Sequence, residues 1–66
     1  MDNDLTTRRE NEGISQGELA DTLGVTRQTI NAIERERYDP SLELALKLAS
    51  HFDCQVEDIF ELQTTD

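Results

Sequence analysis

Apolar residues recur along this chain at spacings of three and four, the period of helices that bury one face. Across residues 16–33 the register is carried by Leu19, Ala20, Leu23, Val25, Ile30 and Ile33, with polar residues between them. Ser15 and Glu18 have the spacing of a capping box, which starts a helix at Gln16. Gly24 supplies the left-handed backbone that ends it, and Thr26 caps the next helix by accepting from the amide of Gln28 or Thr29. Ala20 sits where those two helices must nearly touch, so a larger side chain there would push them apart. Upstream, a first helix is predicted over residues 3–12, capped by Asn3 or Asp4 and anchored by Leu5; Gly13 stops it and Ile14 is a buried connector. Downstream, Pro40 disfavours helix at Asp39 and Ser41 caps a fourth helix. Its buried stripe is Leu42, Ala45, Leu48, Ala49 and Phe52, widened by Leu44 and Leu46. Asp53 ends that helix in a left-handed conformation, Cys54 and Val56 return to the core, and a short fifth helix around Glu57 to Glu61 buries Ile59 and Phe60. Strand signals are absent. The pattern predicts one all-α domain of five helices over residues 1–62, followed by a frayed tail, 63–66, with nothing to bury.

The second and third helices, joined by the Gly24 turn, have the form of a helix-turn-helix. The third begins with Arg27, Gln28 and Asn31 on an exposed face, side chains suited to base edges in the major groove of double-stranded DNA. An ordinary helical bundle has no reason to cluster them there.

Charge complicates this picture. Fifteen acidic residues against six basic ones leave a net charge of −9, whereas nucleic-acid binders usually carry a basic excess. The acid is unevenly placed: residues 25–38 hold Arg27, Arg35 and Arg37 against Glu34 and Glu36, while residues 39–66 hold seven acids against Lys47 alone. Five of the six cations are arginine, the better partner for phosphate and guanine. Such an exterior resembles a halophile's surface, and equally that of a protein whose acidic face binds a basic protein partner.

Sixty-six residues give one thin core that dimerisation would help. A single cysteine, Cys54, and a single histidine, His51, exclude an internal disulfide and a Cys/His metal cluster. Cys54 reads as core packing, with no basic residue near it in sequence, and His51 as a favourable charge at a helix C-terminus. Glu57 and Asp58 have no nucleophile or histidine around them, so no catalytic constellation or cofactor site is expected. No stretch approaches a membrane helix and the N-terminus lacks a basic secretory start, which points to the reducing cytoplasm.

From Leu5 to Leu62 the sequence resembles the lambda Cro and repressor-like regulators, the Xre family, in its short single-domain form. The resemblance rests on Gly13-Ile14-Ser15-Gln16, Glu18-Leu19-Ala20, Leu23-Gly24-Val25-Thr26-Arg27-Gln28-Thr29-Ile30, Ile33-Glu34 and the run from Pro40 to Ala49, in order and spacing. It implies a compact five-helix Cro/repressor-like fold and a transcriptional regulator, most simply a repressor. Two subunits of a homodimer would place their third helices in successive major grooves of a palindromic operator, about 34 Å apart. It further implies that Gln16 contacts a phosphate and braces the third helix, and that Thr26 caps that helix and reaches phosphate. Arg27 and Gln28 would read bases, Thr29 and Asn31 lie at the edge of that surface, and Ala32 offers a methyl contact to thymine. Arg35, Arg37 and Tyr38 lie along the DNA backbone, and Arg9 and Glu34 form an ion pair joining the first helix to the third. The dimer surface is expected from Phe52, Ile59, Phe60 and Leu62. Departures from the family pattern are Arg8 in place of leucine, Glu36 and Asp53 in place of glycine, and Gln55 in place of a serine or threonine cap. The alternative is an antitoxin or co-regulator with this fold whose acidic face, including Glu57, Asp58 and Glu61, binds a basic protein.

Overall fold

In the computed structural model, which describes residues 2–62, local capping sets the helix boundaries. A two-residue strand, β1 (Asp2–Asn3), precedes α1 (Leu5–Asn11), α2 (Gln16–Leu23), α3 (Arg27–Glu34), α4 (Leu42–His51), α5 (Val56–Ile59) and a second short strand, β2 (Phe60–Glu61). Ser15 Oγ accepts from the Glu18 amide at 3.0 Å while Glu18 Oε1 accepts from the Ser15 amide at 2.9 Å, a complete capping box. Thr26 takes the Thr29 amide at 3.2 Å, and Ser41 takes the Leu44 amide at 3.1 Å. Gly24, at φ +74°, turns α2 into α3.

Leu5, Leu19, Ile30, Ile33 and Leu48 are fully buried, and Ala20, Ala45 and Ala49 between them let helices approach closely. Ile59 and Phe60 join this core, with Ile14, Val25, Phe52, Cys54 and Val56 packed partly against it.

Three expectations change. In α4 the buried stripe is Leu44, Ala45, Leu48 and Ala49, whereas Leu42 and Leu46 are 73% and 54% exposed. At roughly 100° per residue those four buried positions share one arc of the helix, and Leu42 and Leu46 fall outside it. The alternating leucines of the run offered two phases for the stripe. Second, β1 and β2 pair antiparallel, with Asp2 opposite Glu61 and Asn3 opposite Phe60, so Phe60 leaves α5 instead of lying within it. Two residues are too few to show alternation. The pairing is reinforced when Asn3 Nδ2 donates to the Ile33 carbonyl at 2.9 Å and the Asp4 amide donates to the Ile59 carbonyl at 3.1 Å. Third, the expected dimer surface is not open: Ile59 and Phe60 are buried and Phe52 is half-buried against the core, leaving Leu62 of that set exposed. The tail 63–66 lies outside the described residues.

Glu36 and Asp53, the two replacements for glycine, both adopt left-handed backbone, at φ +61° and +53°. Arg8 lies over the edge of α1, its Nε 3.0 Å from Asp4 Oδ1 and its Nη2 donating to the Asp58 carbonyl at 3.3 Å. The fold also brings that guanidinium within electrostatic range of Cys54, a proximity invisible in the sequence. His51, the last residue of α4, sits 2.9 Å from Glu12 Oε1 and packs edge-on against Phe52.

Candidate nucleic-acid interface

The start of α3 is where backbone geometry and side-chain chemistry converge. Thr26 is extended and caps the helix through its hydroxyl, which also lies 3.0 Å from Thr29 Oγ1. Ile30 and Ile33 are buried, so the same helical period turns Arg27 and Gln28 outward and leaves Asn31 part-exposed. No side chain among the described residues engages Arg27, Gln28 or Asn31. Together with Gln16 from the first turn of α2, they line one open groove. Thr26, Gln28, Thr29, Ala32 and Tyr38 line a second, so Gln28 stands on the ridge between them. Arg35 and Arg37 are exposed in the turn after α3 and line neither groove.

The other end of α3 is tied down. Arg9 Nε lies 2.7 Å from Glu34 Oε2 and its Nη2 lies 3.3 Å from Oε1, with only 12% and 6% of the two side chains exposed. Arg9 Nη1 donates to the Ile14 carbonyl at 2.9 Å, so one guanidinium joins α1, the connector and α3. Gln16 Nε2 donates to Glu34 Oε1 at 2.9 Å, which brings α2 into the same network. Burial pushes the Glu34 carboxyl upward, but hydrogen bonds from Arg9, Gln16 and Thr6 outweigh it and hold the group below its usual range. The hydrogen bond to Glu34 raises Arg9 above its ordinary value in turn.

Two features were legible only in part. The resemblance implied that Gln16 braces the third helix, but its partner there, Glu34, lies 18 residues away and follows no local spacing rule. Lys47 shares a groove with Val25, Thr29, Tyr38, Ser41 and Glu43, which places the only lysine beside the α3 surface. Its position six residues after the Ser41 cap, and four after Glu43 with which it pairs at 3.7 Å, was the available signal. Acidic residues gather in a separate groove: Asp2, Asp4, Glu57, Asp58 and Glu61 line it with Asn3, Ile59 and Phe60. Among the described residues no group of His, Cys, Asp and Glu is arranged to hold a metal ion, and no helix is long and apolar enough to cross a membrane.

Comparison with known proteins gives this geometry a context. A family model described as helix-turn-helix matches residues 5–59. An HTH-type transcriptional regulator of Methanocaldococcus jannaschii is 52% identical over 60 residues, 91% of each chain. YgzD, an HTH-type transcriptional regulator of Bacillus subtilis, is 48% identical over 63 residues, 96% of each chain. Among solved structures, the P22 c2 repressor bound to a synthetic operator superposes with a TM-score of 0.77 at 28% identity, over 80% of each chain. The restriction-modification controller protein C.AhdI of Aeromonas hydrophila gives a TM-score of 0.75 at 34% identity, over 85% of this chain and 81% of that one.

Proposed function

This chain belongs to the helix-turn-helix family of DNA-binding transcriptional regulators of the Cro and repressor type, and on that premise we propose that it reads a palindromic operator through α3, as a homodimer, and represses by occupying the promoter. The observation that carries this reading is the unengaged trio Arg27, Gln28 and Asn31 on one open groove at the start of α3. Arginine bonds guanine O6 and N7 together, and glutamine or asparagine does the same to adenine N6 and N7. Gln16, Thr26 and Thr29 border the same surface and serve phosphates; Tyr38 beside them, and Arg35 and Arg37 beyond, position the chain along the backbone. The P22 c2 repressor, a structural neighbour, is bound to a synthetic operator, which supports operator DNA as the ligand class.

Binding-site selection from a random-sequence duplex pool, run at several salt concentrations, tests the assignment. The native chain enriches a two-fold symmetric sequence, and Arg27→Ala or Gln28→Ala removes the preference at specific base pairs of each half-site. Selection of the same sequence by the variants contradicts it.

One observation favours a second reading. Five carboxylates, those of Asp2, Asp4, Glu57, Asp58 and Glu61, line a single groove, a surface fitted to a basic protein segment, as an antitoxin or co-regulator would use. On that reading charge reversal at Glu57, Asp58 and Glu61 releases a partner, whereas Arg27→Ala and Gln28→Ala are silent.

A further inference from the structure

The Glu34 carboxylate lies at the far end of α3 from the open groove, yet it holds a side chain that lines that groove. Gln16 has three rotatable bonds and sits in the first turn of α2 beside Arg27, Gln28 and Asn31. Left free, it would sample many orientations and lose that freedom on meeting a phosphate. In the folded chain its Nε2 is fixed 2.9 Å from Glu34 Oε1. Glu34 is in turn held by two nitrogens of Arg9, and its side chain is 6% exposed, so the acceptor for Gln16 does not move. The geometry points to Glu34 as a positioning residue for DNA backbone binding: it pre-orders the Gln16 carboxamide, leaving the second Nε2 hydrogen and Oε1 directed by the first hydrogen bond. Arg9 acts one step further back, by fixing the carboxylate. This rests on the DNA-binding function and adds that affinity is set partly by a buried carboxylate that touches no DNA.

The chemistry of the carboxylate makes this separable from a merely structural role. In Glu34→Gln one oxygen becomes an NH2 group. The remaining carbonyl is claimed by the charged Arg9 donors, which turns the new NH2 toward Gln16; Gln16 meets it only by a half-turn of its own carboxamide, which swaps the positions of Nε2 and Oε1 and takes the Nε2 donor away from the phosphate. In Arg9→Met/Glu34→Gln that claim is gone, and the carbonyl is again free to accept from Gln16.

The test uses the full chain and a fluorescein-labelled 24-base-pair duplex of mixed sequence at low salt, because a phosphate contact is independent of sequence. Anisotropy is read at a temperature where circular dichroism shows every variant folded. Glu34→Gln weakens binding about three- to tenfold, the range set by freeing one side chain. Arg9→Met/Glu34→Gln recovers part of that loss, because the carbonyl again accepts from Gln16 although no guanidinium fixes it, and in a Gln16→Ala background neither change has any further effect. An equal loss from Glu34→Gln with or without Gln16, or failure of the double variant to recover, overturns the positioning role. If the native chain binds no duplex at all, the DNA-binding reading fails, and this inference with it.

Discussion

The two ends of α3 are built in opposite ways. At its start, Arg27, Gln28 and Asn31 engage no other side chain among the described residues and line an open groove. At its end, Glu34 is nearly enclosed and receives hydrogen bonds from Arg9 on α1 and Gln16 on α2. The difference teaches that, on the proposed DNA-binding role, one eight-residue helix separates orientation from base recognition. The tethered end fixes where the helix lies, so the free end can carry whatever side chains a sequence requires. Two residues further on, Glu36 sharpens the contrast: it is exposed, left-handed and held above the usual carboxylate range by a hydrogen bond with Asp2 and by that neighbour's charge.

The largest expected effect comes from breaking the tethered end. Arg9→Met leaves the Glu34 charge enclosed without its cation and costs about 3 kcal/mol, a fall in Tm on the order of 15 °C in a domain of this size. A circular dichroism melt at pH 7 measures it; a change of only a degree or two would show that the pair is solvated. At the free end the expected outcome is reversed. Arg27→Ala and Gln28→Ala each leave the melt unchanged and cost about 1–3 kcal/mol in operator affinity. The two differ in salt response, since only Arg27→Ala lowers the slope of log K against log salt, by about 1.

The smallest effect is at Glu36. Glycine accepts φ +61° without strain, so Glu36→Gly raises Tm by a few degrees. The pH dependence carries opposite signs for the two glutamates. Glu36, raised in the folded state, disfavours folding at neutral pH, and stability is regained as the pH falls through its folded value. Glu34, lowered in the folded state, contributes stability above the ordinary carboxylate range and loses it as the pH falls through its lowered value. Glu36→Gly therefore abolishes the gain on mild acidification and leaves the loss at lower pH, as melts across the acid range will show.

Legibility in the sequence followed the range of the interactions. The capping box at Ser15, the left-handed Gly24 and the Ser41 cap are local, and each structured element they define appears where its residues place it. The phase of α4 was ambiguous because Leu42, Leu44, Leu46 and Leu48 alternate, and only packing selects Leu44 and Leu48. The β1–β2 pairing joins residues at opposite ends of the chain and leaves no local trace. The outward face of α3 was readable because burial of Ile30 and Ile33 determines it, whereas the carboxylate through which Gln16 braces α3 needed coordinates.

The most direct test of the central claim, that the start of α3 is the DNA-contacting surface, is a titration of the 15N-labelled chain with its selected duplex, followed by amide chemical shifts. The account predicts that the largest changes fall on Gln16 and on residues 26–31. Largest changes around Glu57, Asp58 and Glu61, with Arg27 and Gln28 unmoved, would contradict it.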